Sequence, residues 1–374
     1  MESISPKVHH HHHHRWLMEK TVSDLIMDGN RRRLVEVPYT ASLTDTMNAL
    51  VANDVVTVPV AAPPGHWIGA GGSMILESDK ITGVVRKHYI GIVTMLDILH
   101  HIAQADDDGR VLDLDDIMSA PVSSIIGYCL EGLSLWTLYP NTSILDCMEV
   151  FSKCIHRALV PLDSHMEHVV GVELAESSPG YRMRTQMDVL RFLKENHMEL
   201  KEILSQSVGQ LGAVNENVFS ATQHTKVIEA IKFMRNASVG ALPIVDASEA
   251  LGEEDHEVTN VKGRKLIGTF SATDLRGCSI ALLQSSLPLS VVEFTERVSV
   301  VLGVGCRNAD VGHSSSRMLI TCYPETSLTE VINKAVDGHV HRVWVVDQRG
   351  LLLGLISLTD VSQVIRASVS GMES

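Results

Sequence analysis

Apolar residues along this chain recur in two alternating rhythms. Spacings of three and four link Leu43, Met47, Leu50 and Val51, then Ile144, Leu145, Met148 and Phe151. The same spacing links Val227, Ile228, Ile231 and Met234, and finally Leu328, Val331, Ile332 and Ala335. Each stripe predicts an amphipathic helix, because one face of a helix returns about every 3.6 residues. A short run rich in Val, Leu and Pro follows each stripe, from Val55, Ala158, Ala241 and Val343, and predicts a buried strand.

A second piece then closes each unit: an apolar strand, a hydroxyl residue, two further residues, an aspartate and an apolar helix. It spans Tyr89–Asp97, Tyr181–Asp188, Leu266–Asp274 and Leu352–Asp360, and Gly91, Gly268 and Gly354 precede three of the four hydroxyl residues. Successive aspartates lie 91, 86 and 86 residues apart. Self-similarity at a fixed period is the mark of a repeat architecture. The reading is therefore an α/β chain of four β-α-β-β-α units. It divides into an N-terminal segment 1–30, repeat 31–103, acidic linker 104–136, repeat 137–198, connector 199–212, repeat 213–285, connector 286–317 and repeat 318–370. The run from Leu190 through Leu204 suggests a helical connector between halves.

A hydroxyl residue followed three positions later by an acid is a helix capping box. The same geometry suits a sugar, since a carboxylate in the first helical turn accepts hydrogen bonds from both hydroxyls of a ribose. The candidate ribose-binding pairs are Thr94 with Asp97, Thr185 with Asp188, Ser271 with Asp274, and Ser357 with Asp360. Cap and ligand site are compatible readings. Two further pairs, His156-Arg157 and His341-Arg342, fall where a first helix passes into its second strand. A guanidinium offers planar, bidentate bonds to phosphate and an imidazole adds a donor, although a cation at a helix end also suits the helix dipole.

Composition narrows the function classes. The 374 residues carry a formal net charge of −14 and no long basic block, which disfavours nucleic acid as a partner. No apolar run approaches the ~18 residues of a membrane span. Six scattered cysteines without a CxxC pair suit reduced thiols and an intracellular setting. Phosphate-binding glycine loops, nucleophile elbows and metal-ligand spacings are missing from the sequence, so the expectation is a non-catalytic protein with no metal. The six histidines His9–His14 read as an affinity tag or a natural tract. The glycine cluster at Gly69 reads as a loop insertion, and His165 and His168 as solvated histidines.

The four units resemble cystathionine β-synthase (CBS) repeats, and the whole chain is similar to gamma-type regulatory subunits of AMP-activated and sucrose non-fermenting-type protein kinases, most of all the plant gamma-like ones. The phrases beginning Ile155-His156-Arg157, Val340-His341-Arg342 and Gly354 carry the likeness, which spans about Val35 to Ala367. It implies two Bateman modules packed as a disc, with adenine-nucleotide pockets near the centre. Asp97, Asp274 and Asp360 would bind ribose, Ser357 would line a pocket, and His156, Arg157, His341 and Arg342 would bind phosphate. AMP, ADP or ATP are then the candidate ligands, with no required cofactor. The partners would be a catalytic alpha-type kinase subunit and a beta-type scaffold, and the alternative is a nucleotide-insensitive scaffold of the same complex. Three positions depart from the animal pattern: Val56 stands where a phosphate-contacting arginine is expected, and Met187 and Asp188 replace basic residues.

Overall fold

A computed structural model describes residues 6–25, 34–53, 55–62, 89–129, 132, 136–161, 177–178, 181–247, 263–301 and 319–370. Gly69, His165 and His168 lie outside the described residues. Helix α1 (Pro6–Glu19) comes first. The first unit follows as β1 (Leu34–Val35), β2 (Val37–Pro38), α2 (Leu43–Ala52), β3 (Thr57–Ala61), β4 (Tyr89–Thr94) and α3 (Met95–Asp107). The second is α4 (Ile144–Phe151), β5 (Arg157–Pro161), β6 (Ser177–Ser178), β7 (Tyr181–Thr185) and α5 (Gln186–Glu195). The third has β8 (Ala221–Thr222), α6 (Val227–Ala237), β9 (Ala241–Val245) and β10 (Leu266–Ser271), followed by α7 (Ile280–Ser286) and α8 (Val291–Val301). The fourth is β11 (Thr321–Cys322), α9 (Leu328–Asp337), β12 (Arg342–Val346), β13 (Leu352–Ser357) and α10 (Leu358–Ser370).

Local chemistry explains the elements. Ser42, Ser143 and Ser327 cap α2, α4 and α9 by accepting the backbone N–H three residues on, which satisfies an otherwise orphaned donor. The apolar stripes read from the sequence are buried, except that Val51 is exposed on the outer side of α2. In units one, three and four the short leading strand pairs parallel with the second, and the second pairs antiparallel with the third. Unit two keeps the antiparallel β5–β7 ladder and reduces the parallel contact to the bridge Thr137–Leu159.

Two stretches differ from the sequence reading. The third unit closes with a 3-10 helix, Ala272–Gly277, because Cys278 turns extended (φ −90°, ψ 133°) before α7 begins. The helical connector after Leu190 breaks at Asn196 (φ −107°, ψ 25°), whose backbone N–H and side-chain amide both donate to the Phe192 carbonyl, at 3.0 and 2.9 Å. Among the described residues of 104–136, Asp107, Asp108, Asp115 and Asp116 are exposed while an apolar set is buried. Leu114, Ile117, Met118, Val122 and Ile125 are fully buried against the helices of units one and three.

The four units form a ring through two kinds of contact. Sheets meet between chain neighbours: Leu34, Tyr89 and Leu159 join units one and two, and Val245, Leu266, Trp344 and Leu352 join units three and four. These are the two Bateman modules. Helices meet between alternate units, with one apolar core shared by units one and three and a second by units two and four. Charges rim these helix seams, where Lys232 on α6 reaches Asp106 at 2.5 Å and Asp107 at 3.0 Å on α3. Among the described residues no helix is long and apolar enough to cross a membrane.

Glycine in the third strand is a packing requirement. A Cβ on Gly354 would sit 2.6 Å from the Asn215 carbonyl oxygen and 2.7 Å from Val214 Cγ1, because the chain entering unit three bridges onto Leu355. Backbone cannot yield as a flexible side chain can. Gly354→Ala is therefore expected to cost about 1–3 kcal/mol of stability in urea denaturation, with an unchanged midpoint counting against the tight approach.

Candidate functional site

Residues of all four strand-to-helix junctions line one central cleft of about 2400 Å³. The sequence-identified hydroxyl and acid pairs sit at these junctions, and each makes the expected cap. The backbone N–H of Thr94, Thr185, Ser271 and Ser357 donates to Oδ2 of Asp97, Asp188, Asp274 and Asp360 at 2.8, 2.8, 3.0 and 2.8 Å. In unit four the Ser357 hydroxyl adds a 2.7 Å bond to the same oxygen.

Burial separates the four. Asp97 is 1% exposed, and its second oxygen, Oδ1, accepts the backbone N–H of Cys129 at 3.1 Å. The segment carrying Cys129 packs on β4, since a Cβ at Gly91 would meet Ile126 at 2.6 Å and the Gly132 carbonyl at 2.8 Å. Burial pushes the Asp97 carboxyl above the usual range, against hydrogen bonds from Cys129 and Thr94. The first junction is thus closed by the chain itself. Asp188 is half-buried, with Oδ1 taken by Arg191 at 3.2 Å. Asp274 and Asp360 are half-buried on the cleft wall.

Strand register places the arginines. Arg157 lies directly opposite Thr185, and Arg342 directly opposite Ser357. Directly opposed residues in an antiparallel pair share a face, so guanidinium and capping hydroxyl belong to one site. The same register puts Thr57 opposite Thr94 and Ala241 opposite Ser271. The residue corresponding to the arginine in unit one is therefore Thr57. Val56, expected there from the sequence, falls one place earlier, at the position of His156 and His341. Cys154, Ser238 and His339 each stand three residues before the register position in units two to four, with φ of 61°, 54° and 50°. Left-handed backbone at a non-glycine residue is costly, and here it falls one to three residues after each first helix, in the turn that leads into the second strand.

Arg342 Nη1 donates to the Ala241 carbonyl of unit three at 3.4 Å, and Trp344 Nε1 to Thr269 Oγ1 at 2.8 Å, so unit four's phosphate candidate is braced by its module partner. Desolvation lowers the Arg342 guanidinium to about 10, while the charge of Asp360 opposes the shift. His156, Arg157 and His341 also line the cleft.

Sequence reading missed two lining residues, Arg182 and Arg184. The signal lay in the repeat itself. Arg182 occupies the place of Gly91, Gly268 and Gly354, and Arg184 that of Val93, Phe270 and Ile356.

Residues 208–252 and 310–367 match the CBS domain family. The SNF1-related protein kinase regulatory subunit gamma-like PV42a of Arabidopsis thaliana is 55% identical over 359 residues, covering 95% of this chain and 97% of that protein. Its PV42b counterpart is 50% identical, covering 94% and 96%. The 5'-AMP-activated protein kinase subunit gamma of Saccharomyces cerevisiae is 22% identical, covering 97% and 95%. A crystal structure of a Methanocaldococcus jannaschii protein superposes with a TM-score of 0.57 at 17% identity, covering 90% of this chain and 97% of that one, and supports the fold. With four CBS units in a closed ring and half its residues shared with proteins of matching length, the chain belongs to the gamma-like regulatory subunits of SNF1-related protein kinases.

Proposed function

We propose that this chain is the non-catalytic gamma-type subunit of a heterotrimeric serine/threonine kinase complex, and that its central cleft binds an adenine nucleotide, AMP, ADP or ATP. Its partners are a catalytic alpha-type subunit and a beta-type scaffold, and the assembly works inside the cell. The observation that carries the reading is the fourth junction. Asp360 lies in the first turn of a helix on the cleft wall, Ser357 caps it, and register sets Arg342 opposite Ser357. One carboxylate for the ribose and one guanidinium for the phosphate thus share a face. Nucleotide binding of this kind regulates only by favouring one arrangement of the assembly over another.

Calorimetry with AMP and ATP tests this. Arg342→Ala is expected to weaken binding tenfold to a hundredfold, the equivalent of about 1.5–3 kcal/mol for a bond to a charged group. Asp360→Ala is expected to weaken it comparably, and both variants remain folded. Unchanged affinity in both, or no binding to the parent chain, transfers the weight to a nucleotide-insensitive scaffold. Capture from cells that yields no kinase catalytic subunit removes both readings together.

A further inference from the structure

Unit two differs from the other three on one face of one strand. In β7 the ladder sets Arg182 opposite Val160 and Arg184 opposite Ala158. Residues two apart on a strand leave the sheet on the same side, so two arginines rise side by side where the sister units carry glycine and a buried apolar side chain. Arg184 is 3% exposed. Its Nε has no hydrogen-bond partner among the described residues, and its Nη1 reaches the carbonyl of neighbouring Met183 at 3.4 Å.

A guanidinium keeps its charge in a protein, and a buried charge without compensation is strongly unfavourable. The carboxylate beside it does not supply the missing acceptor. Asp188 Oδ2 holds the backbone N–H and hydroxyl of Thr185 at 2.8 and 3.3 Å, and Oδ1 holds Arg191 at 3.2 Å. Burial and the charge of Arg182 lower the Arg184 guanidinium, and Asp188 opposes them, which places all three within electrostatic reach. Arg191 and Arg184 therefore lie near one engaged carboxylate, and Arg182 lies beside Arg184, all on the wall of the cleft.

We propose that the second unit holds an oxyanion subsite in which Arg184 and Arg182 bind a phosphoryl group, either inorganic phosphate or the phosphate of a nucleotide. The planar fork of a guanidinium matches two phosphate oxygens; Arg184 is buried, and Arg182, half-buried with Nη1 on the Tyr181 carbonyl at 3.1 Å, adds a second fork beside it. Arg191, held by Asp188, frames the outer side. This subsite is separate from the fourth junction and does not depend on Asp360 or Arg342.

The test uses the full chain, titrated with inorganic phosphate, AMP and adenosine, each read by calorimetry and by melting temperature. Phosphate is expected to bind and to raise the melting temperature, as a ligand of the native state does. Arg184→Val, which installs the residue of unit one, is expected to lose at least tenfold in phosphate affinity. Its ligand-free melting temperature should equal or exceed that of the parent, whereas a purely structural arginine would lower it. Arg182→Gly, which restores the residue of the sister units, is expected to weaken phosphate in the same direction. Dependence on Arg184 for AMP but not for inorganic phosphate would identify a nucleotide as the source, with adenosine unaffected. Phosphate and AMP affinities unchanged in a folded Arg184→Val overturn the subsite. If that variant does not fold, unchanged affinities in Arg182→Gly do so. A loss confined to Arg342→Ala leaves the nucleotide reading standing and ends this one.

Discussion

Between pH 7 and pH 4 the chain is expected to lose about 3 kcal/mol of stability through a single side chain, His100. This histidine lies on α3, 4% exposed, and its imidazole is depressed from 6.5 to about 4. Burial is the larger cause and the charge of Arg235 on α6 the smaller. The ring has little to set against protonation: Nδ1 faces Cys129 Sγ at 3.8 Å, and Nε2 has no hydrogen-bond partner among the described residues. Unfolded chains take up the proton near pH 6.5, whereas the folded chain takes it up only near pH 4. The contribution is therefore complete above pH 6.5 and disappears as the pH falls through that window. Asp97, one turn earlier, works in the opposite sense, because burial raises its carboxyl and folding then favours the proton. Comparing the pH slopes of the parent and His100→Gln by urea denaturation isolates the histidine. A slope between pH 6.5 and 4 that is the same in both would dismiss this role for His100.

The position of His100 also shows which features could be read from the chain. Four capping boxes at near-equal spacing were legible because a cap is local chemistry: Thr94 and Asp97 find each other three residues apart whatever surrounds them. Helical stripes such as Leu328, Val331, Ile332 and Ala335 were legible for the same reason. Register was not. Whether Val56 or Thr57 faces Thr94 is decided by a ladder between strands far apart in sequence, and a slip of one residue exchanges the faces of the strand. Closure of the first junction was hidden too, since Cys129 reaches Asp97 from a stretch whose composition suggested a linker. Arg182 and Arg184 escaped because Tyr-Arg-Met-Arg-Thr alternates, with Tyr181 and Met183 on its apolar face, and that pattern marks the arginines as solvent-facing although Arg184 is buried. They became visible only through comparison with the sister units, position by position.

Leu17→Ala is expected to cost about 2–5 kcal/mol, the ordinary penalty for truncating a fully buried leucine whose surroundings cannot collapse. The site is the end of α1, the helix that contains His9–His14. Read as sequence, this region gave no amphipathic signal, because six histidines have no apolar period. In the fold, Leu17 is fully buried in the core shared by units two and four, and Trp16 stacks on Phe192 of α5 with ring centres 5.4 Å apart. The chain beyond the helix is stitched to unit two by backbone bonds: Val22 N–H to the Thr142 carbonyl at 2.8 Å, Ser23 N–H to Pro140 at 2.9 Å, and Ile144 N–H to Lys20 at 2.8 Å. The last of these fixes the start of α4, whose apolar face fills the same core. Losing the Leu17 side chain therefore loosens the helix pair beneath unit two's junction, including Gln186, which donates to the Thr359 hydroxyl of unit four at 2.9 Å. Arg15→Ala, on the exposed side of the same helix, is the control and should leave the denaturation midpoint in place. Equal midpoints for Leu17→Ala and the parent would mean that α1 lies on the ring without supporting it. A large loss would make the helix behind the histidines part of the machinery that holds units two and four together.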